Sequence, residues 1–103
     1  MIIATDFDGT LCEHKFPVIG QPIAGVLEKL IEYKKNGDKI ILWTCREGHY
    51  LRQAIAWCKD RGLEFDAVNE NVTEEKNKDY GIRKIFANIY LDDRNITIEE
   101  FIK

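Results

Sequence analysis

Apolar residues fall in short blocks separated by amphipathic stretches. Ile2 to Phe7 is almost wholly apolar with β-branched Thr5 inside it, and Gly9 follows. That pattern predicts a strand buried on both faces. Ile23, Val26, Leu27, Leu30 and Ile31 recur at helical spacing between Pro22, suited to a first helical turn, and Gly37, just past the end. Lys34 and Lys35 suit the negative end of that helix dipole. Lys39 to Thr44 repeats the strand pattern, and Leu51, Ala54, Ile55 and Cys58 predict a second helix ended by Gly62. Glu64 to Val68 and Asn88 to Leu91 read as a third and a fourth strand, the last beginning no earlier than Ile85. Thr97 with Glu100 makes a capping box for a short final helix, anchored by Ile98, Phe101 and Ile102. Residues 72 to 81 are polar and carry at most one short helix.

Strands alternating with helices of these lengths predict an α/β domain, because parallel neighbours need crossovers of this size. The expected architecture is a central parallel sheet of about four or five strands with helices on both faces. In such sheets ligands bind at the carboxyl ends of the strands. Asp6 and Asp8 follow the first strand, Thr44 the second, Asn69 the third, and Asp92 and Asp93 the fourth, so one edge is rich in carboxylates.

The 103 residues fit one domain, residues 1–103. A formal charge of -3 argues against a basic nucleic-acid coat. Runs such as Ile40 to Trp43 are too short to span a membrane, and the N-terminus has no signal-peptide pattern, so a cytoplasmic location is expected. The three cysteines, Cys12, Cys45 and Cys58, show no C-x-x-C spacing and read as reduced thiols, with Cys58 on an apolar helix face. Asn71-Val72-Thr73 and Asn95-Ile96-Thr97 match the glycosylation pattern by chance.

Carboxylates gathered at one mouth repel, and about 4 kcal/mol per pair near 4 Å at an effective dielectric of 20 must be offset. A divalent cation does this for an all-oxygen site, and Mg2+ fits best because it takes few protein ligands together with phosphate oxygens and water. In Asp6-Phe7-Asp8-Gly9-Thr10 the two acids project to one side of an extended segment, and Gly9 lets main-chain amides turn toward a bound anion.

An apolar strand ending in Asp-x-Asp-Gly-Thr resembles the first motif of the haloacid dehalogenase superfamily, in its phosphatase branch. Thr44 resembles the second motif and Asp92-Asp93 the fourth, so the likeness spans nearly the whole chain. The resemblance implies a three-layer Rossmann-like fold and a phosphatase that hydrolyses a phosphate monoester using Mg2+. It implies Asp6 as nucleophile forming an aspartyl phosphate and Asp8 as general acid and base. Thr44 and Gly9 would hold phosphate oxygens. Asp6, Asp8 through its main-chain carbonyl, and Asp93 would hold the metal, with Asp92 in support, because neighbouring strand residues face opposite ways. The third-motif cation could be Lys76, Lys78, Arg83 or Lys84, and Lys84 is chosen because it directly precedes the fourth strand. Arg46 is a candidate for gripping substrate phosphate. Asp8 argues against dehalogenation, in which the leaving halide needs no proton.

The intervals Asp8 to Thr44 and Thr44 to Asp92 are filled by core elements, which predicts a capless member with a short flap at about residues 11–21. His14 in that flap and His49 on the second helix read as contact or surface residues rather than as acids or bases. The expected partner is a phosphorylated small molecule or polymer end, with nucleic acid less favoured, no membrane, and a homo-oligomer as an option for enclosing the pocket. Two rival classes remain: a signalling domain that accepts phosphoryl without turnover, and a non-catalytic module that binds metal or phosphate.

Overall fold

The computed structural model describes residues 1–73 and 84–103. Its elements are β1 (Ile2–Thr5), β2 (Cys12–Lys15), β3 (Val18–Pro22), α1 (Val26–Lys35), β4 (Lys39–Leu42), α2 (Gly48–Asp60), β5 (Ala67–Val68), β6 (Ile89–Leu91) and α3 (Ile98–Phe101). Four strands form a parallel sheet in the order β5-β4-β1-β6, and β2 and β3 form a separate antiparallel hairpin. The chain is therefore a mixed α/β domain. None of its described helices is long and apolar enough to cross a membrane.

Strand alternation sorts the core into two faces. Ile3, Ile40 and Leu42 pack with Leu27 and Leu30 of α1 and with Ala54 and Cys58 of α2. Ala4 and Ile41 face the other way, against Val72, Ile85 and Ala87. Among the described residues both long helices, α1 and α2, thus share one face, where helices were expected on both; residues 74–83 lie outside the described residues. The strand order explains it: from β1 through β4 to β5 the chain steps twice in the same direction, and right-handed crossovers then put both helices on the same side.

Other expectations meet mixed outcomes. Pro22 ends β3 rather than opening a helix, and α1 begins after Gly25, whose φ of 87° a side chain would resist. The flap at 11–21 is the β2-β3 hairpin. The Thr97 cap forms, its Oγ1 accepting from the Glu100 amide at 3.1 Å, but the Glu100 carboxylate accepts from the Thr97 hydroxyl at 2.9 Å rather than from the Thr97 amide, so only half of the capping box is made. The apolar anchor of α3 does not form: Ile98, Phe101 and Ile102 are each at least 75% exposed, because no neighbouring element lies against them among the described residues. The short helix expected in residues 72 to 81 falls almost wholly outside the described residues, as do Lys76, Lys78 and Arg83.

Candidate active site at the carboxyl edge of the sheet

β1 carries the chain from its buried apolar run directly into the acids. The Asp6 amide donates to the Leu91 carbonyl at 2.9 Å, which ties the end of β1 to the end of β6. Asp92 and Asp93 follow β6 directly. Carboxylate oxygens of Asp6, Asp92 and Asp93 all lie within 4.8 Å of one another. Residues about 86 positions apart in the chain thus share one cluster because β1 and β6 are parallel neighbours.

Asp92 and Asp93 were expected to face opposite ways, with Asp93 meeting the metal directly and Asp92 nearby in support. Both reach the cluster. β6 ends at Leu91, and the Asp92 carboxylate accepts from the Arg94 amide at 2.9 Å in a turn, so strand alternation no longer governs the pair. Gly9, with φ 85°, lies so close beneath Asp93 that a Cβ there would sit 2.8 Å from the Asp93 Cγ. A side chain there would have to displace the Asp93 carboxylate and adopt a backbone conformation that L residues rarely take.

Burial raises the Asp6 pKa above its ordinary value of 3.8, the Phe7 amide bound to its carboxylate at 2.7 Å opposes this, and the charges of Asp92, Asp93 and Asp8 add to the rise. At 4.8 Å each like-charge pair costs between about 1 kcal/mol at the dielectric of water and about 3.5 kcal/mol at an effective dielectric of 20. Asp92 and Asp93 are exposed, so the lower figure suits their mutual pair. The donor set is entirely oxygen, and such a set of hard carboxylates suits Mg2+ rather than a softer metal.

Asp8 stands apart from this cluster. Its two carboxylate oxygens accept from Nε and Nη2 of Arg46, both at 2.8 Å, in a bidentate pair. The Arg46 side chain is 1% exposed and that of Asp8 13%. The guanidinium lies 5.0 Å from the ring centroids of both Phe7 and Phe16 and faces the carbonyls of Pro17, Val18 and Tyr50. Hydrogen bonding to Asp8 raises the Arg46 pKa, against the effect of burial. The expectation that Arg46 grips substrate phosphate therefore changes: its donors already face a carboxylate and three carbonyls. Nor does the Asp8 side chain join the three acids that could hold an ion; only its main chain was expected to.

Thr44 lies beside the acids, half-buried, with its hydroxyl oxygen accepting from the Arg46 amide at 3.2 Å. Asn69, at φ 54°, accepts from the Thr44 amide at 2.8 Å and so fixes the end of β4. Lys84 is exposed, its Nζ 5.1 Å from the Tyr90 ring centroid. A cavity of about 880 Å³ opens here, and Asp6, Asp8, Thr44, Arg46, Lys84, Asp92 and Asp93 all line it. His14 also lines it, from the hairpin. Sequence reasoning missed Trp43 and Tyr90, which line the same cavity but read as ordinary strand residues. It also missed the Asp8–Arg46 pair, whose only signal was that each residue follows a strand end.

No protein-family model matches the chain. Among curated proteins it is similar to the transposon Tn552 resolvase of Staphylococcus aureus, 30% identical over 79 residues covering 71% of this chain and 40% of the resolvase. The transposon Tn552 DNA-invertase BinR of the same organism is 29% identical over 79 residues, covering 71% of this chain and 41% of that protein. The chain thus spans about two fifths of the length of these curated relatives. A solved structure of a conserved Bacteroides thetaiotaomicron protein matches with a TM-score of 0.83 and 43% identity, over 99% of this chain and 85% of that one. At that identity and coverage, the chain belongs to the same family as this conserved Bacteroides thetaiotaomicron protein.

Proposed function

We propose that this chain is a small capless phosphatase of the haloacid dehalogenase type, with a three-layer Rossmann-like core, that hydrolyses a phosphate monoester with Mg2+. The observation that carries the reading is the meeting of Asp6 with Asp92 and Asp93 within 4.8 Å, beside Gly9, at the carboxyl edge of a parallel sheet. Asp6, Asp92 and Asp93 would hold the ion, which when bound supplies positive charge against the carboxylates and the phosphate.

The protein's own groups do the rest. Asp6 attacks phosphorus, and the bond to the leaving oxygen breaks as the aspartyl phosphate forms. Asp8 does the acid and base work once its carboxylate leaves the Arg46 pair, whose two N–H groups otherwise face both of its oxygens. Protonated, it gives a proton to the leaving oxygen, then takes one from the water that attacks the aspartyl phosphate and releases inorganic phosphate. Thr44 and Lys84 meet the phosphate oxygens, where fixed donors and positive charge offset the repulsion between anionic nucleophile and anionic substrate.

A DNA resolvase or invertase activity, carried over from the names of the two Staphylococcus aureus relatives, is the weaker reading. The match spans two fifths of those proteins, the chain is net acidic, and the cavity is headed by three carboxylates. Release of inorganic phosphate from a panel of monoesters, with and without Mg2+, tests the proposal. Turnover that needs Mg2+ and falls at least about a thousandfold in Asp6→Asn supports it, since loss of a nucleophile removes a whole covalent route. Wild-type turnover in Asp6→Asn ends it. Mg2+ binding without any hydrolysis would favour a binding module, and phosphorylation without turnover a signalling domain.

A further inference from the structure

The same edge of the sheet carries an aromatic wall that the phosphoryl chemistry does not use. Thr5 pairs with Leu42, Ala4 pairs with Tyr90, and the Trp43 amide donates to the Thr5 carbonyl at 2.8 Å. Asp6 and Trp43 therefore stand side by side one step past the last paired residues, on neighbouring strands about 4.8 Å apart. Strand alternation puts both on the face of Ala4, Ile41 and Tyr90. Ala4, Asp6, Trp43 and Tyr90 all line the cavity.

Trp43 is 40% exposed even though it directly follows the fully buried Leu42. Its ring centroid is 5.7 Å from that of Tyr90. The Tyr90 hydroxyl donates to the Ile85 carbonyl at 2.7 Å and accepts from the Ala87 amide at 3.2 Å, which fixes the ring that the indole meets at a 54° tilt. Ala4, 2% exposed, lies between their strands in the same layer. Lys84 lies over the Tyr90 ring and adds a cation beside the wall.

We infer that Trp43, beside Tyr90, is a stacking platform for a planar ring on the leaving group, so that the substrate class is a phosphate monoester of an aromatic alcohol or of a ring-bearing alcohol such as a nucleoside. The inference rests on the phosphatase reading for its chemistry, but ring recognition is a binding property with its own readout. Indole faces bind planar rings by dispersion and quadrupole attraction, which saturated groups of equal size lack.

The test uses the full chain in an Asp6→Asn, Trp57→Phe background, where Trp43 is the sole tryptophan and turnover is blocked. With Mg2+ present, phenyl phosphate is compared with cyclohexyl phosphate, and adenosine 5′-monophosphate with ribose 5-phosphate, by quenching of Trp43 fluorescence and by calorimetry. The expected result is that at least one planar ligand binds about fivefold or more tighter than its saturated or ring-free counterpart and quenches Trp43. The phenyl arm prevailing assigns a ring attached directly to the ester oxygen, and the nucleotide arm one a sugar away. Trp43→Leu in the Asp6→Asn background, read by calorimetry, should bring that preference to within about twofold, and Trp43→Phe should restore part of it. Equal binding within both pairs, or a preference that Trp43→Leu leaves intact, overturns the inference. Ring-selective binding without hydrolysis by the wild type would sink the phosphatase reading and leave the platform standing.

Discussion

Replacing Arg46 by Met should be among the most damaging single changes available to this chain. Methionine fills much of the aliphatic volume but offers no donors, so the Asp8 carboxylate, 13% exposed, loses both of its 2.8 Å hydrogen bonds. The carbonyls of Pro17, Val18 and Tyr50 lose a donor as well. Breaking one side of a buried ion pair costs about 3–5 kcal/mol, mostly because the remaining charge is stranded. The pair lies beneath a two-stranded hairpin rather than in the deep core, so about 3 kcal/mol is the better figure, or roughly a 12 °C fall in Tm for a domain of this size. A double-mutant cycle isolates the interaction. Asp8→Asn leaves a neutral partner, and Asp8→Asn with Arg46→Met should cost clearly less than the two single changes added, with about 2 kcal/mol or more of coupling in urea unfolding. Additive losses, or an Arg46→Met protein within about 0.5 kcal/mol of wild type, would refute the argument that Asp8 depends on Arg46.

Further outcomes follow from the same geometry. Burial raises the folded pKa of Asp6 above 3.8, so the folded state holds that proton more tightly than the unfolded state, and the benefit is lost as pH rises from about 4 through the folded pKa. Asp6→Asn should therefore raise the Tm of the metal-free protein at pH 7 and change it less at pH 3.5, as scanning calorimetry would show; a lower Tm at pH 7 contradicts the raised folded pKa. Gly9→Ala forces a side chain into φ 85° and against Asp93, and should cost more than about 1 kcal/mol in urea unfolding while weakening any response to Mg2+. Cys45 is exposed, whereas burial pushes the Cys58 thiol up to about 12 and also raises that of Cys12. A chromogenic disulfide at pH 8 should label one thiol quickly in the native protein and three after unfolding; two or more fast thiols would show that the core opens readily.

Much of this arrangement was legible along the chain. The apolar runs at Ile2 and Lys39 mark β1 and β4 because a strand covered on both faces has little room for polar residues. The acids at 6, 92 and 93 could be gathered at one edge because parallel strands all end on the same side. Other features depend on information that periodicity does not carry. Which face each crossover helix takes follows from strand order, and nothing local in α1 or α2 encodes it. The hairpin at β2 and β3 has mostly exposed residues and little alternation, so no apolar signal marked its strands. The pairing of Asp8 with Arg46 bridges 38 positions and turns on side-chain direction beyond two strand ends. Ile98, Phe101 and Ile102 have a helical apolar pattern, yet a pattern names a face without supplying a partner to bury it. Trp43 and Tyr90 were read as strand residues, and only the register beside Asp6 gives them another use.

Calorimetric titration of the metal-free protein with Mg2+ bears most directly on the meeting of the N-terminal and C-terminal acids. One ion should bind per chain, and Asp6→Asn and Asp93→Asn should each weaken it at least about tenfold, because a carboxylate from either end of the chain is then missing from the same set of ligands. Binding that survives both substitutions unchanged, or that responds to only one of them, would contradict a shared site.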